Sequence, residues 1–182
     1  TVSGTGISFG TAVGIDTGDG ANLTMAFDSN SNRIVISYKD GNNSNYGTAI
    51  VGTVSGTTIS FGTAVAYNSG TNGQTTITFD SNVNKVAIMH RDQSDSSDGK
   101  LIVGTVDPSD NSISFGSAVE YAGSNNSSTP SICYDSTNNK VVIVYVGDYG
   151  GSNVGQAVVG TVSGTSTSFG SVATFEAAST IE

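Results

Sequence analysis

The sequence predicts an all-β protein built from repeated four-stranded antiparallel units, and three observations support this prediction. First, the stretch TVSGTTISFGTAV at residues 53–65 occurs in recognisable form four times, with its phenylalanine at Phe9, Phe61, Phe115 and Phe169. Second, each complete period contains four strand-like runs. Third, only 12% of the residues are charged, which suits short strands joined by tight polar turns. Self-similarity at a period of roughly 50 residues indicates a repeat architecture.

The strand-like runs are apolar or alternate apolar with polar residues, and none keeps a helical spacing. They are residues 22–27, 33–38, 48–54 and 59–67, then 74–79, 85–90, 100–106 and 113–121, then 130–134, 141–146, 156–162 and 167–175. The first and second runs of each unit are joined at residues 28–32, 80–84 and 135–139, each starting with Asp and ending with Asn. These segments predict turns, because Asp and Asn side chains bond to nearby backbone amides. A Ser-Gly-Thr turn such as residues 55–58 joins the third and fourth runs.

Second and third strands such as VVIVY are apolar on both faces, which predicts neighbouring layers on both sides, since a one-sided sheet alternates more strictly. Gly52, Gly104 and Gly160 share one position of the third strand, where we expect a close neighbouring backbone to exclude a side chain. Phe61 and Phe115 are expected to be buried between sheets. Four antiparallel strands in roughly 50 residues are typical of a β-propeller blade. We therefore predict a β-propeller-like array of four-stranded antiparallel blades.

The chain is predicted to be one repeat domain, residues 1–182, with about 3.5 repeats. The repeats cover approximately residues 1–20 in part, 21–67, 68–121 and 122–175 in full, and the start of a further repeat at 176–182. Half a blade leaves an open strand edge, which invites pairing, and most propellers close with four to eight blades. We expect the missing strands to come from further repeats of a longer parent chain or from a second copy.

The repeat unit FDxxxNKVVIxYxD…GTAxVGTVSGTxISFGTAV resembles the tandem β-propeller-type repeats of large secreted or surface proteins of bacteria and phages, tail fibres included. The resemblance covers the entire chain. It implies the propeller fold and an extracellular, virion-surface or cell-surface location. It brings no catalytic motif, so no functional residue is transferred from that family to this chain.

The charge balance argues against anionic partners. Fifteen acidic residues against six basic ones give a net charge of −9. Binding to nucleic acid or to an anionic membrane surface needs clustered Lys and Arg, and the sequence has no such cluster. No apolar run approaches the ~18 residues of a membrane span, so membrane insertion is not expected. Cys133 is the single cysteine, which leaves no internal disulfide framework.

Two of the four connections in each repeat vary between copies and define the candidate functional face. In a meander, the connections after the second and fourth strands emerge at the same end. Those after the second strand are KDGNNSNYG, RDQSDSSDG and GDYGGSNVG, and those after the fourth are DTGDGA, NSGTNG and AGSNNSST. Variable loops on a rigid scaffold commonly carry binding specificity. We expect this face to recognise a partner.

Seven residues are candidate ligand contacts on this face. Four are aromatic and lie in or beside the variable loops, where rings can serve as platforms for sugars and partner proteins or can simply pack over blade edges: Tyr46, Tyr67, Tyr121 and Tyr149. Three form the densest acidic loop: Asp92, Asp95 and Asp98. A calcium loop needs another spacing and a distal Glu, so neither this loop nor the weaker pair Asp16 and Asp19 is expected to bind a metal. No cofactor is expected.

The residue types needed for catalysis are scarce. His90 is the only histidine, and it replaces Tyr38 and Tyr145 of the other copies, so we expect a packing residue at a strand end. A single histidine supports neither a catalytic triad nor a histidine-based zinc site. Cys133 occupies a small strand position and is expected to be a buried, inert thiol. A glycosidase would need paired carboxylates on inner strands, whereas the acids lie in turns and loops.

The leading hypothesis is therefore a non-enzymatic extracellular structural or adhesion module that recognises a glycan or a surface protein through its variable loops. A purely structural subunit of a filament or fibre is the first alternative, and a glycan-active hydrolase domain the second. The sequence leaves open which ligand is bound. It also leaves open whether glycans are attached at the N-x-S/T positions Asn22, Asn42, Asn125 and Asn126.

Overall fold

The computed structural model describes residues 2–15, 20–122, 128–149 and 152–176 of the chain, and these contain strands, turns and irregular connections without a helix. The strands are β1 (Val2–Ser3), β2 (Gly6–Ile7), β3 (Ala21–Asp28), β4 (Arg33–Asp40), β5 (Tyr46–Ser55), β6 (Thr58–Phe61), β7 (Val65–Asp80), β8 (Lys85–Asp92), β9 (Asp98–Asp107), β10 (Ser112–Phe115), β11 (Val119–Ala122), β12 (Ser128–Asp135), β13 (Lys140–Tyr149), β14 (Ser152–Ser163), β15 (Ser166–Phe169) and β16 (Ala173–Glu176). The predicted all-β class is confirmed. Residues 177–182, predicted to begin a further repeat, lie outside the described part.

The described strands pair antiparallel and form three sheets. β1 and β2 make a separate hairpin. A nine-stranded sheet has the main order β10-β9-β8-β7-β5-β4-β3, with β11 paired to β9 and β6 paired to β5. A five-stranded sheet has the order β12-β13-β14-β15, with β16 paired to β14. None of these sheets closes into a barrel or a propeller ring.

Each complete repeat forms one antiparallel meander, and the three meanders are named units 1, 2 and 3. Unit 1 contains β3, β4, β5 and β6, together with the first part of β7, which pairs with β5. Unit 2 contains the second part of β7, which pairs with β8, followed by β9, β10 and β11. Unit 3 contains β12 to β16. Because β7 contributes to two units, it joins them in one sheet.

The fourth strand of each unit is interrupted, which the sequence did not predict. In unit 1, β6 and the start of β7 pair with different parts of β5. At the interruption Gly62 still donates its N–H to the carbonyl oxygen of Val51 at 2.9 Å, and the chain then leaves the sheet. The predicted loop at residues 68–73 is wrong for a related reason: β7 continues without a break from Val65 to Asp80 and crosses from unit 1 into unit 2.

Two hydrophobic clusters lie between the units. The cluster between units 1 and 2 contains Val35, Ala49, Val51, Ile77, Val86, Ile88, Ile102 and Ile113. The cluster between units 2 and 3 contains Ala87, Met89, Leu101, Val103, Tyr121, Ala122, Ile132, Val141, Ile143, Tyr145, Val158 and Val162. Successive residues of β8 thus enter different clusters, since strand side chains alternate between faces. The prediction that apolar strands need cover on both sides is confirmed for unit 2.

The Asp-to-Asn segments form the predicted turns. The Oδ1 atom of Asp28 accepts hydrogen bonds from the backbone N–H groups of Asn30 at 2.9 Å and Ser31 at 3.0 Å. Asp80 and Asp135 accept equivalent pairs of bonds. Each turn ends with an asparagine in the left-handed region, with φ values of 56°, 54° and 53° at Asn32, Asn84 and Asn139. Asparagine tolerates this conformation better than most residues, which explains its place in the repeat.

The glycines of the third strand lie opposite the repeated phenylalanines. Gly52 pairs with Phe61, and Gly104 with Phe115. A Cβ atom would lie 2.9 Å from the phenylalanine ring in both cases, and a Cβ on Gly160 would likewise meet a ring, at 2.8 Å. A side chain and not a neighbouring backbone fills the space, which corrects the sequence-based explanation. Phe61 and Phe115 are only partly buried, and Phe115 packs against the cluster between units 1 and 2.

Cys133 is exposed, so the prediction of a buried thiol is wrong. Its neighbour Ile132 is 8% exposed and belongs to the cluster between units 2 and 3, which directs Cys133 to the opposite face of β12. The equivalent residue of unit 1, Ala26, packs against the cluster shared with unit 2. No described unit follows unit 3 on that side, so the thiol has no cover.

Candidate functional site

Three polar segments meet at one end of units 1 and 2 and form the loop face, defined by residues 41–45, 68–72 and 93–97. Backbone hydrogen bonds join these segments directly. Asn72 donates its N–H to the carbonyl oxygen of Asn45 at 2.8 Å, and Gln93 donates to that of Thr71 at 2.9 Å. The N–H of Thr71 donates to Ser94 Oγ at 2.6 Å. These three variable connections therefore form one continuous surface.

The loops at residues 41–45 and 93–97 have the same backbone conformation. Each has two consecutive residues in the left-handed region, Ser44 and Asn45 with φ of 54° and 62°, and Ser96 and Ser97 with φ of 53° and 62°. Because non-glycine residues rarely adopt this conformation, two such pairs at equivalent positions indicate one loop type used twice.

Hydrogen bonds confirm the equivalence of these two loops. Each loop starts with an aspartate at the end of the second strand, Asp40 in unit 1 and Asp92 in unit 2. The Oδ1 atom of each aspartate accepts a hydrogen bond from the backbone N–H of the residue two positions later, at 3.1 Å in both loops. Asn43 and Asp95 each donate their N–H to the carbonyl oxygen of that aspartate, at 3.2 and 3.3 Å. The side chains differ while the backbone is constant. Unit 3 differs, since β13 continues to Tyr149, which pairs with Ser152.

The three predicted acidic contacts occupy different environments. Asp92 and Asp98 are the paired end residues of β8 and β9 and are 7% and 8% exposed, whereas Asp95 is exposed. Lys100 Nζ contacts Asp92 Oδ2 at 3.1 Å and Asp95 Oδ2 at 2.5 Å. Burial by itself would raise the pKa of Asp92, but Lys100 together with hydrogen bonds from Ser94 and Asn68 outweighs the burial and lowers the pKa. Only Asp95 presents a carboxylate to solvent.

The predicted aromatic contacts are mostly packing residues. The Tyr67 hydroxyl bonds to Ser37 Oγ at 3.0 Å and to Thr75 Oγ1 at 3.2 Å. The Tyr67 ring meets His90 edge to face at 5.2 Å between ring centroids. Burial raises the pKa of Tyr67, although the hydrogen bonds to its hydroxyl act in the opposite direction. Tyr67 is therefore a partly buried packing residue beneath the loop face.

Tyr121 repeats the same arrangement one unit later. It is 6% exposed and meets Tyr145 at 5.4 Å and Phe169 at 6.0 Å, both edge to face. Its ring is part of the core and offers no open platform. Tyr46 is half-buried at the start of β5, and the side chain of Tyr149 lies outside the described part.

His90 is a packing residue, as its replacement of tyrosine predicts. It is 1% exposed, and burial lowers its pKa to about 4. No sequence pattern indicates a role for Asn72, which lies in a predicted variable loop but is fully buried. Asn72 Nδ2 donates to the Tyr67 hydroxyl at 3.3 Å. Together with Ser37 and Thr75, these residues form a buried polar layer that supports the loop face.

The remaining candidates are placed as follows. Asn22 donates its side-chain amide to the carbonyl oxygen of Gly73 at 2.8 Å, which links β3 to the first strand of unit 2. Asn42 is exposed on the loop face. Four candidates lie outside the described residues: Asp16, Asp19, Asn125 and Asn126. In the part of the chain that is described, no three His, Cys, Asp or Glu side chains are grouped so that they could hold a metal ion.

Comparisons with protein-family models, curated proteins and solved structures gave no match for this chain. Its described residues include no helix of the length and apolar character that crossing a membrane requires.

Proposed function

We propose that this chain is a non-enzymatic extracellular recognition module, a propeller-like array of four-stranded units that binds a glycan through its loop face. One observation carries the proposal: the loops at residues 41–45 and 93–97 share one backbone and display different side chains. A constant backbone with variable side chains is the arrangement expected of a binding surface on a rigid scaffold.

The chemistry of the exposed side chains favours a hydroxyl-rich ligand. Asn42, Asn43 and Ser44 are exposed in the first loop, and Gln93 and Ser96 in the second. Amides and hydroxyls both donate and accept hydrogen bonds, which matches sugar hydroxyls. The net charge of −9 disfavours anionic ligands. Because the loops are already held by their own hydrogen bonds, ordering them on binding costs little entropy.

Binding without hydrolysis is proposed because the carboxyl chemistry on this face does not suit a general acid. A glycosidase acid needs a raised pKa so that it holds a proton near neutral pH. The pKa of Asp92 is lowered because Lys100 and the hydrogen bonds from Ser94 and Asn68 together outweigh its burial, and Asp92 therefore stays ionised. This supports a binding role for the loop face.

A glycan array followed by calorimetry with the best ligand tests the proposal. Asn43→Ala and Gln93→Ala remove exposed amides whose loss leaves the loop backbone bonds in place. Each lost hydrogen bond is worth about 0.5–1.5 kcal/mol, so affinity should fall about two- to tenfold per substitution. Asn82→Ala is the matched control, because Asn82 is exposed in the Asp80 turn at the opposite end of the strands.

An array without hits, or equal loss of affinity in the control, would contradict glycan binding through the loop face. Cleavage of the glycan would contradict the non-enzymatic role. Binding of a surface protein in place of sugars, through the same loop residues, would identify the other partner class. A purely structural role in a filament is the second candidate function. It is favoured by apolar residues exposed on both outer units, such as Met25 at 69% and Val159 at 46% exposure.

A further inference from the structure

One backbone contact recurs wherever a unit meets the next one along the chain. After three of the four SFG phenylalanines, the glycine lies against the turn between the third and fourth strands of the following unit. A Cβ atom on Gly62 would overlap the carbonyl oxygen of Asn111, and one on Gly116 would overlap that of Thr165. Gly10 makes the same contact with Thr57 in unit 1. Only glycine lets the two backbones approach so closely.

The apolar faces beside this contact also repeat. Val51 of unit 1 and Val103 of unit 2 precede the third-strand glycine and are 0% and 1% exposed, because the next unit covers them. From the following unit, Ile113 in the fourth strand packs into the cluster between units 1 and 2 and is 4% exposed. The junction between units 1 and 2 and the junction between units 2 and 3 therefore combine a glycine–turn contact with an apolar contact.

In unit 3, the SFG glycine and the third-strand valine are present, but among the described residues no following unit packs against them. The Gly170 N–H donates to the carbonyl oxygen of Val159 at 2.9 Å, as Gly62 does to Val51. A Cβ on Gly170 would meet only that carbonyl oxygen, at 3.7 Å. Val159 is 46% exposed, in contrast to 0% for Val51. We name Gly170 and Val159 the tail.

The hairpin β1–β2 carries the second half of the junction. Its turn has Gly4 at φ 58°, matching Gly56 at 61° in the turn that receives Gly10. Ile7, at the position of the buried Ile113, is 61% exposed. The turn at residues 4–5, called the Thr5 turn, joins β1 to β2. Within the described part of the chain, it is the one turn of this type that no SFG glycine contacts. We name the Thr5 turn and Ile7 the head.

We propose that the tail of one chain binds the head of a second copy, with Gly170 against the Thr5 turn and Val159 beside Ile7. The three internal glycine–turn contacts provide the template, and among the described residues they use every turn and glycine of this type except one of each. The contact joins different surfaces of the two copies, so it is heterologous and produces a closed ring or a filament. It is independent of the loop face.

Gly170→Ala in the full chain is the primary test. The φ of Gly170 lies outside the left-handed region and its Cβ direction is open, so the isolated fold should accept alanine. Sedimentation should show association of the wild-type chain, and the variant should sediment as a monomer of 18.3 kDa. A wild-type chain that stays monomeric at its highest soluble concentration would overturn the proposal, as would a variant that associates like wild type.

A mixing experiment tests which surfaces meet. Ile7→Lys blocks the head and Gly170→Ala blocks the tail, so each variant alone should be monomeric. A mixture still contains one intact head and one intact tail and should form a one-to-one heterodimer that grows no further. Ser81→Lys is the charge control, because Ser81 is exposed in the middle unit, and it should associate like wild type. Failure of the mixture to form a heterodimer would exclude head-to-tail contact.

Discussion

The buried His90 should make the stability of this fold depend on pH, and His90→Tyr tests this. Burial lowers the pKa of His90 from its usual 6.5 to about 4, although Asp92 acts in the opposite direction. The unfolded chain therefore binds this proton more readily than the folded chain. The stability linked to neutral His90 is complete above pH 6.5 and is lost progressively as the pH falls towards 4.

The size of the effect follows from the pKa difference. One pKa unit corresponds to about 1.4 kcal/mol, so the folded state should lose about 2 kcal/mol between pH 6.5 and pH 5, and about 3 kcal/mol by pH 4. Tyrosine carries no such proton in this range. It also fits the site, since Tyr38 and Tyr145 occupy the equivalent positions at 1% and 4% exposure.

Urea unfolding of wild type and His90→Tyr at pH 7 and pH 5 provides the measurement. Carboxyl groups also titrate in this range, but they are common to both proteins, including Asp92, so the difference between the two proteins isolates the histidine. At pH 7 the free energies of unfolding should agree within about 1 kcal/mol, the usual cost of a well-fitted core replacement. At pH 5 the free energy of unfolding of the variant should exceed that of wild type by about 2 kcal/mol more than it does at pH 7. Equal losses in both proteins would refute the reasoning.

Three further predictions follow. Gly116→Ala should lower the free energy of unfolding by about 1–3 kcal/mol, because the added Cβ would overlap the backbone of unit 3. Thermal unfolding of this variant is compared with that of Gly170→Ala at a dilution where both are monomeric. Equal stability of the two variants would contradict the prediction. Replacing residues 41–45 by the sequence of residues 93–97 should preserve folding, since the backbones agree; loss of the native circular dichroism spectrum would show otherwise. Phe115→Ala should lower the free energy of unfolding by about 3 kcal/mol, because it removes the ring that lies opposite Gly104 of β9 and packs against the cluster between units 1 and 2. Unchanged urea unfolding would contradict this packing.

The sequence predicted the elements that depend on local chemistry. The Asp-to-Asn turns, such as Asp28 to Asn32, follow from side chains bonding to adjacent amides. The continuous apolar run of β8 predicted two covered faces, because successive side chains of a strand point to opposite faces. The same periodicity does not identify the neighbour on each face. Cys133 and Ala26 occupy equivalent positions, but Ala26 packs against the cluster shared with the following unit, whereas no unit among the described residues covers Cys133.

The candidate site was harder to predict because its shape depends on a backbone conformation that the amino-acid sequence of the loops does not indicate. The loops KDGNNSNYG and RDQSDSSDG share few residues, yet an aspartate and two left-handed residues give them one conformation. Tyr67 and Tyr121 lie beside variable segments in the sequence, but the long strand β7 and the stacking of units carry their rings inwards. Proximity to a loop along the chain did not decide exposure.

Head-to-tail association would change how the loop face binds. Units 1 and 2 already present equivalent loops side by side, and each added copy would supply further ones along the array. Linked weak sites bind a multivalent surface far more tightly than a single soluble ligand. Gly170→Ala should therefore bind a monovalent glycan as wild type does but lose retention on a glycan-coated surface, measured by surface plasmon resonance. Equal retention of both proteins would separate the two proposals and show that association does not serve binding.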